Sequence, residues 1–147
     1  MEIRELSAAE AMLRFDQVIA LYKAVAWSSY TSHPTMLRSA LQGSLAMWTA
    51  FEGADGEGEK LIGLVRVVGD GTSIVFVQDL LVSPEFQRRG VGTQLLQRAL
   101  ERYAHVYQTE LLTDDTEKTC AFYESLGFVP AEKMGCRSFV RIGRAPD

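Results

Sequence analysis

The stretch Ser73-Ile74-Val75-Phe76-Val77-Gln78-Asp79-Leu80-Leu81-Val82 decides the fold, together with Gln87-Arg88-Arg89-Gly90-Val91-Gly92-Thr93, from which it is separated by Ser83-Pro84-Glu85-Phe86. The first part is apolar on both faces, which predicts a central strand covered on both sides. After Ser73 only Gln78 and Asp79 interrupt it, and a carboxylate is costly there unless it is paired or used. The second part carries two close glycines and opens a stripe at helical spacing: Val91, Leu95, Ala99, Tyr103 and Val106. Leu111-Leu112-Thr113 then reads as the end of another strand. Strand, glycine loop, helix and strand make a crossover, so these two strands run parallel.

Outward from this unit, residues 2–6 alternate apolar and charged and predict a short strand. From Ala8 to Val25 the residues Met12, Phe15, Val18, Ile19 and Tyr22 recur at three- and four-residue steps, predicting one helix. A polar stretch with two large aromatics, Ala26 to His33, leads to a short helix from Pro34 to about Leu41. Residues 45–52 and 60–68 read as strands joined by an acidic hairpin loop over 53–59, and Gly69-Asp70-Gly71-Thr72 turns the chain into the central strand. Beyond it, Asp114-Asp115-Thr116-Glu117 resembles a capping box opening a last helix that ends at Gly127, with Phe128 packing back over it. Strands near 128–132 and 136–142 are expected to close the fold. The class is α/β of the α+β kind: a mixed, mostly antiparallel sheet with one parallel pair, flanked by helices.

With 147 residues and 47% hydrophobic content, and with neither repeat nor linker, residues 1–147 read as a single domain. Fifteen basic against nineteen acidic residues give a net charge of −4, which disfavours a nucleic-acid binder. Two cysteines and two histidines form no cluster at zinc spacing, so no metal is expected. No apolar run approaches a membrane span, and Met1-Glu2-Ile3-Arg4-Glu5 carries no apolar leader, so a cytoplasmic protein without membrane contact is expected.

A loop with Gly90 and Gly92 at a helix N-terminus lets backbone amides converge on an anion, and Arg88 and Arg89 add forked donors suited to a diphosphate. The alternative is a turn that merely needs glycine backbone angles. A dinucleotide fingerprint fails because Leu95 stands where a third small residue is required. A Walker loop fails because Thr93-Gln94 comes directly after Gly92.

The segment Gln87-Arg88-Arg89-Gly90-Val91-Gly92 resembles the Gln/Arg-x-x-Gly-x-Gly/Ala loop of the GCN5-related N-acetyltransferases, and Asp79 to Phe86 before it is also similar to that family. Ala121-Phe122-Tyr123-Glu124-Ser125-Leu126-Gly127-Phe128 resembles its second landmark, a Phe-Tyr-x-x-x-Gly-Phe helix end. The resemblance implies the acyl-CoA N-acyltransferase fold, with its parallel pair splayed. It further implies an acetyl-CoA site: Gln87, Arg88, Arg89, Gly90, Val91, Gly92 and Thr93 around the pyrophosphate, and the pantetheine arm along Leu80, Leu81 and Val82 like an added strand. Thr116 stands where many relatives have Asn, so its cofactor contact is a departure from the pattern. An amide near Leu81 is the implied oxyanion donor.

Acetyl transfer to an amine needs a neutral nitrogen. An alkyl ammonium of pKa about 10.4 is neutral only to roughly one part in 2500 at pH 7, a deficit of roughly 4.6 kcal/mol. Asp79 is the candidate base or ammonium ligand. The other reading makes it a structural acceptor for loop amides or helix N-termini, and strand alternation sends Gln78 to the opposite face. Tyr123 matches the family tyrosine assigned as general acid to the departing thiolate, and it also contacts the cofactor in that reading; the alternative is packing with Phe122 and Leu126. Trp27 and Tyr30 border the implied acceptor site and either bind an amine or cap the core. Cys120 and Cys136 read as packing residues, because direct attack in a ternary complex needs no acyl-enzyme. The expected function is therefore an acetyl-CoA-dependent N-acetyltransferase acting on a small-molecule primary amine. The alternatives are a non-catalytic acyl-CoA-binding sensor, or a protein or peptide N-acetyltransferase. Dimers are common in the family, and the sequence leaves a homodimer open.

Overall fold

Residues 1–53 and 58–144 are described by the structure, a computed structural model. They fall into two compact units, one ending at Leu111 and one beginning at Leu112. Most of the acidic hairpin loop expected over 53–59 lies outside the described residues.

The first unit is built on five strands, β1 (Glu2–Glu5), β2 (Ala46–Glu52), β3 (Lys60–Gly69), β4 (Ile74–Val82) and β5 (Gln108–Leu111), in spatial order β1-β2-β3-β4-β5. The first three pairings are antiparallel, and the crossover makes β4 and β5 parallel. The doubly apolar run is thus fourth of five strands rather than the middle one. Its alternate residues Val75, Val77, Asp79 and Leu81 are buried, and those between them are more accessible. Pairing with β5 ends at Val77 and Leu111, while β4 continues to Val82. From Gln78 onward that edge of β4 has no strand partner among the described residues.

A β-bulge interrupts the β3–β4 ladder. Gly69 lies opposite Val75 and Val67 opposite Val77, but Arg66 then lies opposite Asp79, so Gln78 is an extra residue. An inserted residue reverses the facing of everything beyond it. Asp79 and Leu81 consequently point to the face opposite Val77, and the strict alternation expected of Gln78 and Asp79 does not hold.

That face is covered by α1 (Ala8–Leu13), α2 (Phe15–Ala24), α3 (Ser28–Thr31) and α4 (Pro34–Gln42). The single helix expected from Ala8 to Val25 is divided at Arg14, although its ladder runs through: the Arg14 amide donates to Glu10 O at 2.9 Å and the Arg14 carbonyl accepts from Val18 N at 3.0 Å. The two pieces bury Ala11 of α1 and Val18, Leu21 and Tyr22 of α2 in one cluster with Leu64 and Leu81. Glu59, at the foot of β3, takes Arg4 and, at 3.3 Å, Arg14.

On the other face lies α5 (Val91–Arg102). A Cβ at Gly63 of β3 would meet Leu95 at 2.9 Å and Val91 at 3.1 Å, so glycine there lets the start of α5 lie close on the sheet. The helix stops at Arg102, leaving Tyr103 and Val106 of the expected stripe in the turn beyond. His105 Nε2 lies 3.1 Å from Gly71 O, which ties it to the β3–β4 turn.

In the second unit the last helix, α6 (Glu117–Ser125), is capped by Thr116, whose hydroxyl accepts from Thr119 N at 3.3 Å. Asp114 instead accepts from the Thr116 amide and hydroxyl, so the cap lies two residues beyond the one expected and the reciprocal bond of a capping box is not made. Gly127 at φ 90 ends the helix as expected, and Phe128 N donates to Tyr123 O at 3.2 Å. The strands expected near 128–132 and 136–142 do not form. Pro130 and Gly135, the latter at φ 76, bracket a single 3-10 turn over Ala131–Met134, and no described segment of this unit pairs as a strand with another. Among the described residues no helix is long and apolar enough to cross a membrane.

Candidate functional site

The connection from β4 to α5 is a shaped loop. Gln87 Nε2 donates to Val82 O at 3.0 Å and fixes the loop to the strand end. Arg88 and Gly90 both take left-handed backbone angles, at φ 64 and φ 79, a conformation that costs a non-glycine residue about 1 kcal/mol. Gly90 is the N-cap of α5 and provides no capping side chain. The backbone amides from Arg88 to Thr93 find no acceptor among the described residues. A Cβ built on Gly90 would meet nothing nearer than Gln94 Nε2 at 3.9 Å, so space stays open in front of the loop. Unsatisfied amides at the positive end of a helix form an anion cradle, and the residues present fit a pyrophosphate. The Arg89 guanidinium lies 5.4 Å from the Phe86 ring centroid, beside the cradle.

The unpaired edge of β4 begins just ahead of this loop. Leu80 and Val82 are half-buried there, whereas Leu81 is 3% exposed and packs in the core. An extended ligand could reach the Leu81 main chain but not its side chain.

Asp79 is 2% exposed and occupied on both oxygens. Oδ2 accepts from Arg66 Nε at 2.7 Å and from the Tyr22 hydroxyl at 2.7 Å, and Oδ1 accepts from the Tyr30 hydroxyl at 3.0 Å. The structure places Asp79 as a buried acceptor, whose donors are side chains rather than loop amides or helix N-termini; in this arrangement neither oxygen is open to an incoming amine, which favours the structural reading over that of a base. Burial by itself would lower the pKa of Arg66, but the charge and hydrogen bond of Asp79 outweigh it and raise that pKa. Burial, then the charge of Asp79, pushes the Tyr22 phenol well above its ordinary range and Tyr30 upward too.

Trp27 and Tyr30 are both half-buried over this network. Tyr30 lies 5.0 Å from the Tyr22 ring centroid, and Trp27 lies 5.9 Å from it. Tyr30 Oη also accepts from Arg66 Nη2 at 3.1 Å, and exposed Gln78 Nε2 lies 3.5 Å away. The bulge thus lets both Gln78 and Asp79 reach Tyr30. Sequence reasoning missed Arg66 and Tyr22, yet a signal existed: Arg66 is the one charge inside the apolar run Leu61–Val68, next door to the strand that Asp79 interrupts.

In the second unit, Tyr123 is half-buried, and its phenol pKa is raised by burial first and by the charge of Asp114 second, against a hydrogen bond from Thr113. The Thr116 hydroxyl is engaged with Asp114 at 2.7 Å and Thr119 at 2.8 Å. Cys120 is half-buried, but Cys136 is exposed and does not pack. Among the described residues no group of His, Cys, Asp or Glu could hold a metal ion. A cleft of about 370 Å³ lies between Gln17, Ala20 and Ala24 of α2 and Lys60, Ser83 and Glu85, and neither Asp79 nor Gly90 lines it.

A sheet whose parallel pair parts midway, with an amide cradle at the start of the next helix, is the frame of an acyl-CoA N-acyltransferase. Residues 44–130 match the family described as acetyltransferase (GNAT) domain. The chain is 37% identical to a GNAT family acetyltransferase from Streptococcus pneumoniae, with a TM-score of 0.79 and coverage of 98% of each chain. It belongs to the GNAT acetyltransferase family. To the GCN5-related N-acetyltransferase 2, chloroplastic, of Arabidopsis thaliana it is 33% identical over 82 residues, which is 52% of this chain and 31% of that protein. The chain spans about a third of the length of the first curated relatives it matches, 31% and 38%. An aminoglycoside N-acetyltransferase in complex with CoA shares the fold at 22% identity, TM-score 0.63, over 98% of this chain and 100% of that one.

Proposed function

We propose that this chain transfers an acetyl group from acetyl-CoA to a primary amine of a small molecule, by direct attack in a ternary complex. The observation that carries the proposal is the row of unsatisfied amides from Arg88 to Thr93 around the open face of Gly90. These amides would hold the pyrophosphate, the Gln78–Val82 edge of β4 would pair with the pantetheine amides, and a main-chain amide near Leu81 would be the oxyanion donor. Bound there, acetyl-CoA supplies an activated acetyl thioester. Tyr123 is assigned as proton donor; its phenol, pushed up by burial and then by the charge of Asp114, is protonated at neutral pH as any tyrosine is and gives the departing thiolate a hydrogen bond more readily than a full proton. Thr116 keeps a cofactor contact only through what its capping hydroxyl has left to offer. With Asp79 sealed, the proton of the amine leaves through water. A small-molecule acceptor is supported by the structural neighbour that is an aminoglycoside N-acetyltransferase. The two units are read as one domain because the family match at 44–130 runs across their boundary. A cytoplasmic setting belongs to the same reading.

The test is calorimetric titration with acetyl-CoA, with NADH as the control diphosphate, and then a primary-amine panel read by release of the CoA thiol. Saturable binding of acetyl-CoA alone with amine-dependent thiol release is the expected result. Binding without turnover on any amine or peptide would favour the sensor reading, and failure of a folded sample to bind would remove the proposal.

A further inference from the structure

We propose that Arg66 and Asp79 position the Tyr30 hydroxyl as a fixed hydrogen-bond acceptor, and that this oxygen, with Gln78 beside it, is where the amine substrate binds; the inference rests on the acetyl-transfer reading above. A phenol has one proton to give. Here it goes to Asp79 Oδ1 at 3.0 Å, a carboxylate oxygen that can only accept. Arg66 Nη2 fills one lone pair of Tyr30 Oη at 3.1 Å. What is left of the phenol oxygen can only accept, so it welcomes an N–H donor and rejects an acceptor. A further donor near it is Gln78 Nε2, exposed and at the long distance of 3.5 Å, which an incoming amine can displace.

The arrangement is held from behind. Arg66 Nη1 also reaches Ala40 O at 3.4 Å and Ser44 Oγ at 3.3 Å, so its fork is fixed on α4, Asp79 and Tyr30 together. Tyr22, fully buried, holds the other oxygen of Asp79. The charges of Arg66 and Asp79 cancel, so the docking point offers no net negative charge to trap an ammonium. The site therefore adds no charge preference for the ammonium over the neutral amine, the form that can attack. The position is apt as well: Gln78 is the bulged residue at which β4 loses its partner β5, the open end of the edge assigned to the pantetheine arm.

The experiment uses the full chain as wild type, Tyr30→Phe, Arg66→Lys and the double variant. Lysine keeps the charge but, as a point donor, cannot span Asp79 and Tyr30 as the fork does. The amine is the one best acetylated in a panel of aromatic amines, polyamines and aminosugars. Tyr30→Phe is expected to raise its KM about tenfold, the loss of one good hydrogen bond, with the calorimetric Kd for acetyl-CoA unchanged. A tyrosine ultraviolet difference signal on adding that amine to the CoA-bound protein should disappear in the same variant. Arg66→Lys should raise KM similarly in wild type and hardly at all in the Tyr30→Phe background. An unchanged KM in Tyr30→Phe overturns the binding role, and KM effects that simply multiply in the double variant overturn the positioning role. Turnover on an amine with an unchanged KM in Tyr30→Phe overturns this inference alone, whereas wild type that binds no acetyl-CoA, or binds it and acetylates no amine, overturns the function it rests on.

Discussion

Replacing Gly90 tests the cradle directly, because the structure separates its effect on folding from its effect on binding. At φ 79 any side chain pays for a left-handed backbone, about 1 kcal/mol for alanine and about 2 kcal/mol for β-branched valine. At the Cβ no steric term adds to this, since it would meet only Gln94 Nε2 at 3.9 Å. For a domain of this size the melting temperature should fall by only about 2–8 °C. Binding should suffer far more, because the side chain projects into the space a pyrophosphate must enter to reach the amides. Losing two charge-assisted hydrogen bonds at about 1.5–3 kcal/mol each weakens affinity by roughly 10²- to 10⁴-fold. Urea denaturation measures the first quantity and calorimetric titration with acetyl-CoA the second. Gly90→Ala should lie between wild type and Gly90→Val on both. A folded Gly90→Val protein with wild-type affinity refutes the phosphate-loop assignment, since these are the amides the assignment depends on.

Tyr123→Phe should lower kcat with little change in the Kd for acetyl-CoA, and a wild-type kcat would end its role as acid. Asp79→Asn should keep the alkaline-rising limb of the pH–rate profile, which the ionisation of the amine itself sets, while lowering the melting temperature; a vanished limb would restore Asp79 as base. Arg66→Met leaves a buried carboxylate unpaired and should cost about 3–5 kcal/mol in urea unfolding, whereas Arg66→Met/Asp79→Leu/Tyr22→Phe should recover most of that; a triple variant as weak as the single would show that the network is not the cause. The raised pKa of Tyr22 means its stabilising contribution is complete below its unfolded pKa near 10 and is lost as pH rises through the higher folded value. Urea midpoints should therefore fall less steeply above pH 10 in Tyr22→Phe than in wild type, and parallel curves would contradict the burial argument.

Local signals account for what the sequence made legible. The crossover from Ile74 to Leu111, the hairpins, and the glycine at the start of α5 each depend on short-range chemistry: apolar period, turn residues, a left-handed backbone position. Those signals are enough to predict the parallel pair and the glycine turn that opens α5. The C-terminal strands were not legible in the same way, because a strand is defined by its partner, and the apolar residues of 136–142 look the same paired or unpaired. Arg14 illustrates another limit, since nothing in its neighbours marks a division of the helix there. Thr116 shows a third: Asp114 and Thr116 are both good caps, and only the course of the chain decides which one sits at the helix end.

The placement of Asp79 beside Arg66 was not legible for a reason that is physical rather than statistical. Alternation along a strand assumes an unbroken ladder, and on that assumption Arg66 would face Gln78 while Asp79 pointed away from it. One inserted residue reverses this. With Gln78 bulged, Asp79 comes opposite Arg66 and under Tyr22 and Tyr30. The two charges in adjacent apolar strands are plain in the sequence, and neither could be buried alone. Their mutual need is met only if the ladder slips by one, so the pair favours the bulge as much as the bulge makes the pair. The same slip leaves Gln78 exposed at the point where β4 parts from β5, which brings the buried ion pair, the phenol it orients and the open strand edge to one place in the first unit.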